Sequence, residues 1–158
     1  CAEHKCLSGD DMINWGAALF ALRRPEEALD VFRKAAARKP DCLHALNNIG
    51  MTLASLGQFD EAVVYCQRVV ERDPAFRFAW DTMGFAHLKA GRYEQAVPAL
   101  LKAVELEPNY PDAWRHLLHA YDRSGQAEKL AGAKVWVAGI LPEELARFEK
   151  EKGTQIRD

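Results

Sequence analysis

Pro40, Pro74, Pro108 and Pro142 follow one another at intervals of 34 residues, and so short a fixed period limits the chain to stacked copies of one small unit. Other registers keep the same period. Gly16, Gly50 and Gly84 share one position, taken by Leu118 in the last unit. Ala28, Ala62 and Ala96 share a second, followed by Leu130, and Gly57, Gly91 and Gly125 share a third, with Arg23 in the first unit. A unit of this length cannot bury its own apolar side, so neighbours must pile up to cover it.

Each unit carries two amphipathic segments with apolar residues at i, i+3, i+4 and i+7, the helical pattern. The glycine between them accepts a left-handed conformation and so ends the first helix. The later proline cannot continue the second. The spacing predicts helices over 9–22, 25–38, 42–56, 59–72, 76–90, 93–106, 111–124, 126–140 and 142–152, after a leader of residues 1–8. Ser8 followed by Asp11 has the form of a capping box at the first helix start. Gly84 and Ala96 are small where two helices must approach closely. Trp15, Trp80 and Trp114 are expected to fill space toward neighbouring helices. The class is all-α.

The motifs resemble the tetratricopeptide repeat, whose pattern is Trp-x2-Leu-Gly-x2-Tyr, then Ala-x3-Phe, then Pro. The third unit matches best, with Trp80, Met83, Gly84, His87, Gly91, Tyr93, Ala96, Leu100, Ala103 and Pro108. The first offers Met12, Trp15, Gly16, Leu19, Ala28, Phe32 and Pro40, and the second Leu46, Ile49, Gly50, Leu53, Ala62, Cys66 and Pro74. The resemblance implies a right-handed superhelix, an α-solenoid, of four units at 9–42, 43–76, 77–110 and 111–142, followed by a capping helix and tail at 143–158. The fourth unit is degenerate. Leu118 and Leu130 are both bulky, Lys134 stands where an apolar residue belongs, and Gly132 and Gly139 weaken its second helix. A wider last hairpin follows, with Leu145 and Phe148 anchoring the cap.

The resemblance also implies an inner, concave face lined by the first helix of each unit. Carried over position by position, it holds Ile13, Asn14 and Ala17, then His44, Asn47, Asn48 and Met51. The third unit adds Phe78, Asp81, Thr82, Phe85 and Lys89, and the fourth Asp112, Arg115, His116, His119 and Arg123. The residues expected to meet a ligand are Asn14, Asn48, Met51, Phe78, Asp81, Phe85, Arg115, His119 and Arg123. Arg115 and Arg123 suit a carboxylate, and Asn14 and Asn48 suit the backbone of an extended chain. Relatives that grip chaperone C-termini use five polar residues, of which only Asn48 is present; Ile13, Ala17, Phe78 and Thr82 occupy the other positions. The implied function is a scaffold or adaptor that holds a protein or peptide. The alternative is self-assembly into a homo-oligomer, for which Val135, Trp136 and Ile140 offer an apolar surface.

Composition narrows the remaining classes. The net charge is -2 and 28% of residues are charged, which gives no sign of the basic stripe of a nucleic-acid binder. No apolar run approaches the ~18 residues of a membrane span. Cys1, Cys6, Cys42 and Cys66 match no zinc or disulfide framework, and a cytoplasmic location is expected. The chain begins with Cys1 rather than Met, so the alternative is a processed or lipid-anchored form. Asp112, His116 and His119 have a spacing that suits zinc, but Arg115 and Arg123 oppose a cation there. No nucleophile with a base and an orienting group is legible. Neither metal, cofactor nor catalysis is expected, and Cys66 is read as a buried, inert thiol.

Overall fold

The computed structural model describes residues 9–155. Within them the chain forms α1 (Gly9–Ala21), α2 (Pro25–Arg38), α3 (Leu43–Ser55), α4 (Phe59–Arg72) and α5 (Arg77–Lys89). These are followed by α6 (Tyr93–Leu106), α7 (Pro111–Arg123), α8 (Ala127–Ile140) and α9 (Pro142–Gln155), with no strand among the described residues. The Ser8 cap lies outside them. Successive helices pair as hairpins, and each odd helix from α3 onward packs on the even helix before it.

The four hairpin turns are built alike. Arg23, Gly57, Gly91 and Gly125 all have left-handed backbones, with φ of 60°, 80°, 74° and 71°. In each case the next amide reaches back to a carbonyl near the helix end. Arg24 donates to Leu19, Gln58 to Leu53, Arg92 to His87 and Gln126 to Tyr121, at 2.9–3.0 Å. These bonds satisfy carbonyls that the helix leaves orphaned. Trp80 and Trp114 repeat another bond, each indole N–H donating to the carbonyl of Pro74 or Pro108 at 2.8 Å. Trp15 does not follow them. It is 49% exposed, because no hairpin lies before α1 among the described residues.

Close approach explains the small positions. A methyl group at Gly84 would come 2.4 Å from Leu100 Cγ; one at Gly50 would come 2.9 Å from Cys66 Sγ, and one at Gly16 2.5 Å from the Phe32 ring. The large residue on the second helix thus sits in the notch left by glycine on the first. The last hairpin inverts this arrangement. Leu118 fills the notch and is fully buried, and Lys134 turns out of the core to pair with Glu149 of α9. α7 and α8 accordingly pack over less of each other than the other three pairs do. α9 packs on both, and its own Phe148 is fully buried against them.

Candidate interaction groove

The backbones of successive odd helices approach closely, α1 to α3, α3 to α5, α5 to α7 and α7 to α9, whereas those of successive even helices stay further apart and α2 and α4 meet through the long side chains of Arg33 and Glu61. The stack therefore bends toward the odd helices, and their free sides line its inner face.

An open cavity of about 440 Å³ sits on this face, with Phe85, Lys89, Arg115, His116, His119 and Arg123 on α5 and α7 and Arg147 and Glu151 on α9. Four of the expected ligand residues therefore come together: Phe85, Arg115, His119 and Arg123. Asn48 and Met51 line a separate hollow of about 100 Å³ with Phe20 and Phe32. Asn14 is exposed on α1 and borders neither. Phe78 belongs to an aromatic run, 5.7 Å from Phe76 and 5.8 Å from Tyr110 between ring centroids, with the Arg77 guanidinium 4.1 Å above it.

Asp81 departs from its expected place on the open surface. It is 1% exposed, with one carboxylate oxygen 2.8 Å from His116 Nδ1 and the other accepting the Tyr110 hydroxyl at 3.1 Å. Burial pushes the Tyr110 phenol up from its ordinary range, and the Asp81 charge adds to the shift. Asp81 thus supports the groove from behind.

The cations around the cavity fall into two kinds. Arg115 is held by Asp112 at 2.6 Å and Glu144 at 3.7 Å, and Arg147 by Glu151 at 3.5 Å. Glu151 also takes His119 Nε2 at 2.8 Å. Lys89 and Arg123 have no carboxylate partner among the described residues; the Lys89 ammonium instead stands 5.7 Å above the Phe85 ring. Lys89 and Arg123 occupy the same register, 34 residues apart. The His116 ring lies 5.0 Å from Phe85, completing an aromatic floor beneath a cationic rim.

Three contributions escaped sequence reasoning. Arg147 and Glu151 reach the cavity from α9, whose apolar residues marked it only as a cap, and Tyr93 enters from the start of α6. The i, i+4 spacing of Arg147 and Glu151 was the available signal. The zinc-like set is dispersed: Asp112 pairs with Arg115, His116 with Asp81 and His119 with Glu151. No group of three or more metal-ligating side chains exists among the described residues. Val135, Trp136 and Ile140 are exposed on α8, with Trp136 stacked on Trp114 at 4.3 Å.

Stacked helical hairpins with an open inner face define a repeat scaffold. Tetratricopeptide-repeat models match residues 13–75 and 77–120, and the chain belongs to the tetratricopeptide-repeat family. Its members are protein-interaction scaffolds and generally non-catalytic. The structure resembles TTC0263, a thermophilic TPR protein of Thermus thermophilus, at 22% identity and a TM-score of 0.80, covering 92% of this chain and 84% of that one. It also resembles MamA from Desulfovibrio magneticus RS-1, at 23% identity and a TM-score of 0.71, covering 95% and 80%. PilW, a widely conserved type IV pilus biogenesis factor, is 25% identical with a TM-score of 0.78, covering 90% and 68%. Comparison with curated proteins returns no match. No helix among the described residues is long and apolar enough to cross a membrane.

Proposed function

We propose that the chain is an adaptor whose inner face holds an extended acidic peptide at the cavity between α5, α7 and α9. The observation that carries this reading is the pair Lys89 and Arg123, two cations without carboxylate partners among the described residues, at one register on consecutive odd helices. Neighbouring helix axes lie about 8–10 Å apart. A polyproline-type peptide rises about 9 Å per three-residue turn, so acidic side chains three residues apart reach both cations. Phe85 then offers an apolar contact between them. Arg115 and Arg147, already neutralised within the fold, add less.

Fluorescence anisotropy with a labelled peptide carrying two glutamates three residues apart tests this. Lys89→Glu and Arg123→Glu should each weaken binding by up to about tenfold, which corresponds to about 1.4 kcal/mol. Phe85→Ala should weaken it further, and added salt should weaken the native protein's binding. Equal affinity for the peptide with lysines in place of glutamates, or full affinity in all three variants, overturns the reading.

A further inference from the structure

We propose that His119 and Arg147 form a third acid-binding position in the groove, which Glu151 of α9 fills until an acidic residue of the bound peptide replaces it. This position extends the peptide reading proposed for the groove and rests on it. Among the described residues that line the cavity, Glu151 is the sole carboxylate; the other charged side chains there are Lys89, Arg115, Arg123 and Arg147. Its two oxygens serve two helices. Oε2 lies 2.8 Å from His119 Nε2 on α7, and Oε1 lies 3.5 Å from Arg147 Nε, one turn earlier on α9. An ionised carboxylate can only accept, so the imidazole donates. Glu151 thus makes the contacts that a glutamate of the peptide would make in its place.

Exposure, packing and spacing all permit the exchange. The side chains of Glu151 and Arg147 are 41% and 58% exposed, so the displaced carboxylate returns to water rather than to a buried, unpaired state. The His119 ring also packs edge-on against the fully buried Phe148, 4.8 Å between centroids, which holds the imidazole in place when Glu151 turns away. His119 stands one turn before Arg123 on α7, about 6 Å along the axis, and α9 packs beside α7 as α7 packs beside α5. Three residues of a polyproline-type peptide, about 9 Å, carry it from Lys89 to Arg123. Three more carry it from α7 toward α9, since neighbouring axes lie about 8–10 Å apart. One carboxylate replacing another gains little. Glu151 therefore acts as a built-in competitor, and a peptide with three such glutamates binds the native chain about as well as one with two.

Titration calorimetry on the full chain tests this with two peptides, one carrying three glutamates at three-residue intervals and one with glutamine as the third. In the native protein the third glutamate should change affinity by less than about twofold, because it only replaces Glu151. In Glu151→Gln, which leaves His119 an amide oxygen to bond, it should strengthen binding about three- to fivefold, the upper end for an exposed ion pair. Glu149→Gln makes the same charge change on the same helix, where Glu149 pairs with Lys134 away from the cavity. It should leave the third glutamate's effect as in the native chain. Adding Arg147→Gln to Glu151→Gln should abolish the gain, which separates the acid-binding position from any loosening of α9. A third glutamate worth the same in the native chain and in Glu151→Gln, or a gain that persists without Arg147, overturns this inference alone. Failure of both peptides to bind any form overturns the groove reading with it.

Discussion

His116 on α7 lies 2.8 Å from Asp81 on α5, Nδ1 against a carboxylate oxygen, joining two hairpins through the wall of the groove. An ionised carboxylate can only accept, so the imidazole donates. The other oxygen of Asp81 accepts the Tyr110 hydroxyl. One buried carboxylate therefore orders a histidine, a tyrosine and the junction between two repeats.

Replacing Asp81 with Ala leaves Tyr110 and His116 without their acceptor, and a buried donor without a partner costs about 1–3 kcal/mol. The midpoint of urea unfolding should fall accordingly. Tyr110→Phe removes one donor with its need for an acceptor and should cost about 1 kcal/mol or less. Equal midpoints for Asp81→Ala and the native chain would mean that this bond contributes nothing.

The Gly84 and Leu100 contact predicts a compensating pair. Gly84→Ala alone should destabilise by about 1–3 kcal/mol, because Leu100 must shift. Leu100→Ala alone should cost about 2–5 kcal/mol through the cavity it leaves. With both changed, the added methyl occupies part of that cavity, so the total should be smaller than the sum. Strict additivity in thermal or urea melts would show that the two side chains do not meet.

Cys66 predicts an alkaline weakness. Burial, with a smaller contribution from Asp81, pushes its thiol from 9.0 up to about 12. Below pH 9 both folded and unfolded chains keep the proton, and the stabilisation is complete. Above it the unfolded chain releases a proton that the folded chain retains, so stability falls as pH rises from 9.0 toward about 12. The slope for one such group is up to about 1.4 kcal/mol per pH unit. Cys66→Ala should flatten the decline in urea-derived stability between pH 9 and 10, before tyrosine ionisation joins in. An unchanged slope would place the lost proton elsewhere.

The 34-residue period specified the helices, the left-handed turns and the small-against-large notches, because all of these follow from residues close in sequence. The expected helix at 42–56 is α3, Leu43–Ser55, and that at 59–72 is α4, Phe59–Arg72. Phe85, Arg115, His119 and Arg123 were legible as neighbours because the period aligns them on consecutive inner helices. Lys134 also followed from the repeat: a charge at a core position signals that the core differs there.

Only the tertiary structure decided that Asp81 is buried, that Trp15 is exposed, and that Arg147 and Glu151 reach the cavity. Helical periodicity states which residues share a face, but not what meets that face. Asp81 is covered because Tyr110 and His116 arrive from the next hairpin, whereas Trp15 has no hairpin before it among the described residues. Each outcome depends on whether a partner from another hairpin, some thirty residues away, meets the face among the described residues, and burial is a property of such pairings rather than of one helix.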